Sequence, residues 1–190
     1  LSVFKMKEID AAQIIAQGEP FSDPDFQAGS LNSLFAKDSQ LSTDHTNLWK
    51  GFVWKRPQEL FNGEEFNVFV KGIEANDIIQ GSLANCYFLS AISAIAEKPE
   101  RINKLFLNGE KVNLAGCYTM RLCINGQFRN VTVDDQFPYN PITQKTAFSK
   151  GKENELWVLL LEKAWAKVNC CYEATIRGYT SEAFMALTGA

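Results

Sequence analysis

Histidine is almost missing from this sequence. The 190 residues include a single histidine, His45, which lies in a polar stretch. A histidine in such a stretch is usually only solvated, so we do not interpret His45 as a catalytic base. Chemistry that needs a histidine to accept a proton therefore has no candidate within these residues.

Basic clusters and long apolar runs are missing as well. Lysine and arginine are scattered along a chain of net charge −3, so nothing indicates a nucleic-acid surface. No apolar run is long enough to cross a bilayer and there is no signal peptide, so membrane association is not indicated. Because the first residue is Leu1 and not methionine, we expect the sequence to start at a domain boundary.

Paired cysteine motifs do not occur. The five cysteines form no Cys-x-x-Cys pattern, and the adjacent Cys170 and Cys171 have poor geometry for a bridge. An odd number of cysteines at irregular spacing favours reduced thiols and an intracellular, cytoplasmic location. A chain of 190 residues with 46% hydrophobic and 22% charged residues fits one domain or a lobe of a larger one.

The stretch from Asp77 to Ala96 is the most informative part of the chain. A turn-forming segment, Gln80-Gly81-Ser82, leads to Asn85, which we predict to cap a helix that starts at Cys86. The helix is apolar on nearly every face, so we expect it to be buried as the central element of a core. Pro99 is expected to close it.

The sulfur of Cys86 is a candidate nucleophile. In the first turn of a helix it would lie near the positive end of the dipole and near unpaired backbone N–H groups, which favour thiolate over thiol. Gln80, six residues earlier, supplies an amide donor that can face an oxyanion. On these residues alone, Cys86 is also interpretable as a small buried hydrophobic residue, which is the commonest role of a free cysteine.

Periodicity predicts several short elements. Helices are expected from Met6 to Gln17, over 99–107 and from Ser181 onward. A polar surface loop is expected over 36–48 and a short strand over 66–70.

A β-hairpin and a long helix are the clearest elements of the second half. The hairpin is predicted over Cys117–Val133 around Asn125-Gly126. The acidic pair Asp134-Asp135 that follows is interpreted either as a cation ligand or as a solvated turn. An amphipathic helix is expected over Asn154–Asn169, capped by Asn154. Its polar face would carry Glu162, Lys163 and Lys167.

Five segments, in one order along the chain, resemble motifs of the calpain-type cysteine proteases. The resemblance extends over nearly the whole chain, from Phe21 to Ala190. The segments are Phe21-Ser22-Asp23-Pro24-Asp25-Phe26, Trp54-Lys55-Arg56-Pro57-Gln58-Glu59, 77–91, Val133-Asp134-Asp135-Gln136-Phe137-Pro138 and 161–167.

The resemblance implies an α+β fold, namely the papain-like helical lobe of a calpain-like protease core. This lobe would contain a buried central helix starting at the nucleophile, a further long amphipathic helix and a small β-hairpin. Residues 1–65 would form an N-terminal anchor segment and residues 66–190 the cysteine-bearing first lobe. The chain ends at Thr188-Gly189-Ala190, which resembles the junction with a second lobe that this sequence does not contain.

The resemblance also implies hydrolysis of peptide bonds in protein substrates through a thioester intermediate. Cys86 would be the nucleophile, with Gln80 holding the oxyanion and Gly178 binding substrate. The family's histidine and asparagine lie on the second lobe, which would be the partner of this one. We therefore expect the isolated chain to be inactive.

A calcium site outside any EF-hand is implied in the same way. The matching ligands are the carbonyls of Val70 and Gly72 and the carboxylates of Asp77 and Glu155, all oxygen donors as calcium requires. Without the resemblance, Asp77 is interpretable as a turn residue and Glu155 as a first-turn glutamate favoured by the helix dipole.

A second function is left open by four departures from the family pattern, at Ala75, Ala84, Tyr87 and Arg177. Arginine, glycine, tryptophan and glycine, respectively, are usual at these positions. These departures favour a catalytically degenerate module with a regulatory or scaffold role, whereas Cys86 and Gln80 favour an enzyme. A plain structural domain with a buried cysteine is the third interpretation.

Overall fold

The computed structural model describes residues 7–109 and 111–190, so the predicted helix start at Met6 lies outside the described residues. The α-helices of the described part are α1 (Ala11–Gln17), α2 (Leu31–Leu34), α3 (Thr43–Lys50), α4 (Pro57–Leu60), α5 (Cys86–Ala96), α6 (Pro99–Asn103), α7 (Trp157–Val168) and α8 (Thr180–Thr188). The strands are β1 (Val53–Lys55), β2 (Ile78–Ile79), β3 (Cys117–Ile124), β4 (Gln127–Asp134), β5 (Phe137–Asn140), β6 (Lys145–Thr146) and β7 (Lys150–Gly151).

The predicted α+β fold is confirmed. Among the described residues the strands form three small antiparallel sheets, in the orders β1-β5-β6, β2-β7 and β3-β4. The β3-β4 hairpin turns at Asn125 and Gly126, whose φ angles of 52° and 75° are those the sequence predicted for a two-residue turn.

Helix α5 is the predicted central helix, and most of its side chains are buried in the main core. An exposed stripe of Cys86, Ser90 and Ala94 runs along one face, because residues four apart lie above one another on a helix. The predicted cap is wrong. Asn85 precedes the helix, but its side chain caps nothing and instead donates to Glu162.

Helix α7 starts at Trp157 and is buried on all sides, so the predicted amphipathic character and polar face are wrong. Glu162, Lys163 and Lys167 are each at most 3% exposed. They are tolerated inside because each has charged or polar partners. Asn154 is not the cap, since it adopts a left-handed φ of 60° three residues before the helix.

Residues 66–70 do not form the predicted strand. The carbonyls of Asn67 and Val68 accept hydrogen bonds from the backbone N–H groups of Leu156 and Trp157, at 3.0 and 3.2 Å. These carbonyls therefore satisfy donors at the start of α7 that have no partner within the helix.

The predicted surface loop over 36–48 is only partly a loop, because α3 begins at Thr43 and its first turn is capped by Ser42.

The segment 21–52 packs against the rest of the protein through an aromatic cluster and an ion pair. Its members Phe26, Trp49 and Phe52 join Phe148 and Tyr172 in a second buried cluster. Lys167 contacts both carboxylate oxygens of Asp23, at 2.8 and 2.7 Å. These contacts tie the segment before α2 to the buried helix α7.

The acidic pair after β4 is buried, so the solvated-turn interpretation is wrong. Asp134 pairs with Lys163 at 2.5 Å, and Asp135 pairs with Arg56. None of the helices within the described residues is long and apolar enough to cross a membrane.

Candidate functional site

Cys86 is exposed at the N-terminal end of α5. The carbonyl of Asn85 accepts the N–H groups of Phe88 and Leu89, at 2.9 and 3.2 Å, so the helical ladder begins immediately before the sulfur-bearing residue. The first N–H groups of a helix have no partner inside the helix and create a positive end. Because Cys86 is exposed, its interpretation as a small buried hydrophobic residue is wrong.

The other four cysteines lack this combination of exposure and position. Cys117, Cys123 and Cys171 are buried, and burial raises the pKa of the Cys117 thiol to about 12. Burial also raises the pKa of the Cys171 thiol. Cys170 is exposed but follows the C-terminal end of α7, where the helix dipole disfavours a negative charge. The two exposed thiols thus lie at different kinds of helix end. Cys86 is at the N-terminal end of α5, and Cys170 follows the C-terminal end of α7.

Gln80 lies on the loop that leads into α5. Its side-chain amide donates a 3.3 Å hydrogen bond to the carbonyl of Leu83, which folds the side chain back onto this loop. The amide is therefore held on the same short segment as Cys86.

The same loop rests on the backbone of residues 147–148. A Cβ at Gly81 would lie 1.9 Å from the carbonyl oxygen of Phe148, so only glycine fits there. Next to it, the hydroxyl of Ser82 donates to the carbonyl of Ala147 at 2.6 Å. These contacts fix the height of the Gln80 loop above the protein core.

Glu162 is a residue of this region that the sequence predicted to lie on a solvent-facing surface. One carboxylate oxygen accepts from the Asn85 side chain at 2.7 Å, and the other accepts from the Ser149 backbone N–H at 3.1 Å. Burial raises the pKa of this carboxyl group. The signal in the sequence was the apolar run around Glu162, which has apolar residues on every face of the helix and so predicts burial.

Gly178 lies beside the turn that precedes α5. A Cβ at Gly178 would be 2.6 Å from the Tyr87 ring, and the Tyr87 hydroxyl accepts a 3.0 Å hydrogen bond from the indole of Trp165. Arg177 adopts a left-handed φ of 62° and its N–H donates to the Ala84 carbonyl at 3.0 Å. Gly178 is exposed, but one side of it is covered by the tyrosine.

The single histidine is not part of this region's described contacts. His45 is exposed in the first turn of α3, where its ring nitrogen Nδ1 is 2.8 Å from the hydroxyl of Ser42. The interpretation of His45 as a surface residue is confirmed.

Three of the four predicted calcium ligands line one small cavity of about 100 Å³. Val70, Asp77 and Glu155 lie in its wall. The other four lining residues are all charged, namely Glu74, Glu153, Lys71 and Lys152. The fourth, Gly72, is not part of the lining but follows Val70 by two residues. Carboxylate and carbonyl oxygens are the donors that calcium prefers, so the lining fits this ion in kind.

The carboxylates of this cavity are held in place by hydrogen bonds. The two oxygens of Glu155 accept from the Val70 backbone at 2.6 Å and from the Trp157 indole at 2.9 Å. Asp77 accepts from the backbone of Glu74 at 2.7 Å. Burial, with the nearby charges of Asp77 and Glu153, raises the pKa of Glu155 to about 7.

Acidic side chains alone do not complete a metal site here. In the described part of the chain, no group of three or more histidine, cysteine, aspartate or glutamate side chains is placed to hold a metal ion. Backbone carbonyls or a shift of the side chains would have to complete the coordination of a bound cation.

Comparison with known proteins identifies a family for this chain. A family model described as "Calpain family cysteine protease" matches residues 21–190. Calpain-8 of Homo sapiens is 34% identical over 179 residues, covering 93% of this chain and 24% of that protein. The Calpain-1 catalytic subunit of Gallus gallus is 33% identical over 180 residues, with the same two shares. A calpain-type cysteine protease of Oryza sativa subsp. japonica is 34% identical over 181 residues, 93% of this chain and 8% of that protein. The chain thus spans a quarter or less of the length of these relatives.

Proposed function

Because the chain belongs to the calpain family of cysteine proteases, we propose that it is the nucleophile-bearing half of an intracellular, calcium-dependent cysteine endopeptidase. Residues 66–190 would form the first lobe of the protease core and residues 1–65 its anchor. The observation that carries the proposal is the exposed Cys86 at the start of the buried helix α5. The free state of all five cysteines supports the cytoplasmic location.

The proposed reaction is hydrolysis of a peptide bond in a protein substrate. The Cys86 sulfur attacks the scissile carbonyl carbon, and a carbon–sulfur bond forms as the carbon–nitrogen bond breaks. The thiol proton passes to a histidine of the second lobe and then to the leaving amine, and water hydrolyses the thioester. The Gln80 amide and the Cys86 backbone N–H would hold the oxyanion, and one such donor is worth about 3 kcal/mol.

Calcium would be held by the Val70 and Gly72 carbonyls and the Asp77 and Glu155 carboxylates. The shared cavity and the charge gathered around Glu155 support this assignment for three of the four. A bound ion would supply positive charge to these carboxylates. Asp77 directly precedes β2, which leads to Gln80, so restraint at Asp77 reaches the loop beside the nucleophile.

The alternative is a catalytically degenerate calpain-like module with a regulatory or scaffold role. The covering of Gly178 by the Tyr87 ring favours this alternative, because the same glycine would have to meet a substrate backbone. The left-handed Arg177, where the family usually has glycine, favours it too.

Thiol reactivity distinguishes these functions. The native chain is treated with a small excess of iodoacetamide at pH 7, and labelled peptides are quantified by mass spectrometry. We expect Cys86 to react roughly tenfold faster than Cys170, the other exposed thiol, because a helix N-terminus stabilises the thiolate. Equal rates at the two sites would contradict the nucleophile assignment and leave the degenerate module as the better description.

A further inference from the structure

Glu162 is a buried carboxyl group that the proposed reaction does not use. It lies on α7 and is 3% exposed. Its two oxygens bind different segments, one accepting from the Asn85 side chain at 2.7 Å and the other from the Ser149 N–H at 3.1 Å. A buried carboxyl group is costly, so its presence in an apolar helix calls for a structural reason.

The first segment that Glu162 binds is the start of α5. Asn85 is fully buried and immediately precedes Cys86. Its side chain does not cap the helix, whereas its carbonyl accepts the first helical hydrogen bonds. Holding the Asn85 side chain therefore fixes the direction in which the first turn, with the Cys86 N–H, faces.

The second segment is the support of the Gln80 loop. Ser149 directly follows the two residues whose backbone carries Gly81 and Ser82. One oxygen of Glu162 thus holds Asn85 at the start of α5, next to the Cys86 N–H. The other oxygen holds Ser149, next to the backbone that supports the Gln80 loop.

We propose that Glu162 is a positioning residue that sets the placement of the Gln80 amide relative to the Cys86 thiol and backbone N–H. This inference rests on the proposed function, since it concerns the nucleophile and its oxyanion donors. Two buried polar atoms of the same partners, Asn85 Oδ1 and Ser149 Oγ, have no hydrogen-bond partner among the described residues. A glutamine at position 162 could donate to them while keeping one acceptor oxygen, so Glu162→Gln should preserve the arrangement.

Positioning and charge predict opposite effects. If Glu162 acted only as a negative charge, its removal would favour the Cys86 thiolate and speed alkylation. If it positions the helix start, its removal loosens the N–H groups that stabilise the thiolate and slows alkylation. Burial raises the pKa of Tyr172, and the Glu162 charge raises it further. The Tyr172 phenol therefore stays neutral over the pH range of the experiment.

The experiment measures the pH dependence of Cys86 alkylation by iodoacetamide in the 190-residue chain, with Cys170 as internal reference. The variants are Glu162→Leu, which removes both hydrogen bonds at similar volume, and Glu162→Gln, which keeps most of them. Lys167→Met is the matched control, because it removes another buried charge from α7 that contacts Asp23 and Thr132.

In Glu162→Leu we expect the ratio of Cys86 to Cys170 labelling at pH 7 to fall about fivefold, with the midpoint of the rate profile moving to higher pH. Glu162→Gln should stay within about twofold of the wild type, since it keeps hydrogen bonds to both segments. Lys167→Met should lower the melting temperature without changing the ratio. If Glu162→Leu does not fold, Asn85→Ala removes one of the two hydrogen bonds, at the start of α5, and should lower the ratio in the same direction.

An unchanged ratio in Glu162→Leu, or a midpoint moving to lower pH, overturns the inference and leaves the proposed function intact. Equal losses in Glu162→Leu and Glu162→Gln overturn it as well, because glutamine keeps hydrogen bonds to both segments and would then have failed to preserve the arrangement. A wild-type chain that shows no preference for Cys86 over Cys170 contradicts the proposed function itself, and the inference fails with it.

Discussion

The ring of Tyr87 lies directly against the backbone of Gly178, so that a Cβ at Gly178 would be 2.6 Å from the ring. The ring cannot move freely, because its hydroxyl accepts the Trp165 indole at 3.0 Å. We expect Gly178→Ala to lower the free energy of unfolding by about 1–3 kcal/mol, as overpacking of a constrained site does. Urea titration followed by tryptophan fluorescence measures this loss.

A double-mutant cycle tests the cause of that loss. In a Tyr87→Ala background the ring is gone, so Gly178→Ala should cost less than about 0.5 kcal/mol beyond Tyr87→Ala alone. An undiminished cost in this background would mean that backbone conformation, and not the ring, excludes alanine at position 178.

The buried pair of Lys167 and Asp23 predicts a large loss on breaking one side only. The Lys167 ammonium has three acceptors, namely both Asp23 oxygens and the Thr132 carbonyl at 2.7 Å. Lys167→Met leaves the Asp23 carboxylate buried without its cation, so we expect a loss of about 3–5 kcal/mol in the free energy of unfolding.

The matched variants separate the charge from the packing. Adding Asp23→Asn to Lys167→Met removes the stranded charge and should recover at least about 1 kcal/mol. Lys71→Met removes an exposed lysine that pairs with Glu153 at 3.0 Å, and should change stability by less than about 0.5 kcal/mol. Similar losses for Lys71→Met and Lys167→Met would show that the buried pair is no more important than a surface pair.

The structure follows predictably from the sequence where neighbouring residues decide it. The hairpin at Asn125-Gly126 depends on two residues that accept positive φ, and the start of α5 depends on a local change from turn formers to apolar residues. Both signals are contained within a few positions.

The sequence predictions are wrong where a distant residue decides the structure. The sequence predicted Lys167 on a solvated face, because its partner Asp23 lies 144 positions away and no neighbouring residue indicates the pairing. Asn85 was expected to cap its own helix because its acceptor Glu162 lies 77 positions away. Residue types thus indicated Cys86 and Gln80 as candidates, but not the carboxyl group that connects their supports.

Arg177 adopts a φ of 62° although it has a β-carbon. A left-handed conformation costs a non-glycine residue about 1–2 kcal/mol. Glycine avoids this cost, but its larger entropy in the unfolded state offsets part of the gain. We therefore expect Arg177→Gly to raise the free energy of unfolding by about 0.5–1 kcal/mol. The measurement is thermal or urea unfolding of the two proteins.

Arginine at a helical position provides the control for that substitution. Arg101 is exposed on α6, where glycine should cost about 1 kcal/mol instead of adding stability. A loss of stability in both Arg177→Gly and Arg101→Gly would contradict the idea that the left-handed position is strained.

The isolated chain should not hydrolyse protein substrates. Its single histidine is exposed on α3 and bonded to Ser42, so a base for the Cys86 proton is expected only on a second lobe. Incubation with denatured casein and calcium, followed by gel electrophoresis, should show no cleavage above that of Cys86→Ala. Cleavage by the wild type but not by Cys86→Ala would refute the need for the second lobe.

Calcium should stabilise the chain through the cavity that contains Asp77 and Glu155. A ligand at one hundred times its dissociation constant adds about 2.7 kcal/mol to the free energy of unfolding. For a domain of this size, that corresponds to a rise of roughly 5–10 °C in melting temperature. Differential scanning fluorimetry with increasing calcium measures this rise.

Two isosteric variants locate the effect. Asp77→Asn can still accept the Glu74 N–H that Asp77 accepts at 2.7 Å, so the local fold should survive while the calcium response falls by more than half. Asp44→Asn changes an exposed acidic residue in the first turn of α3 and should leave the calcium response unchanged. Magnesium at the same concentration should have little effect, because it demands a smaller, more regular shell. An equal calcium response in wild type and Asp77→Asn would place the ion elsewhere, because loss of a charged ligand must weaken binding at its own site.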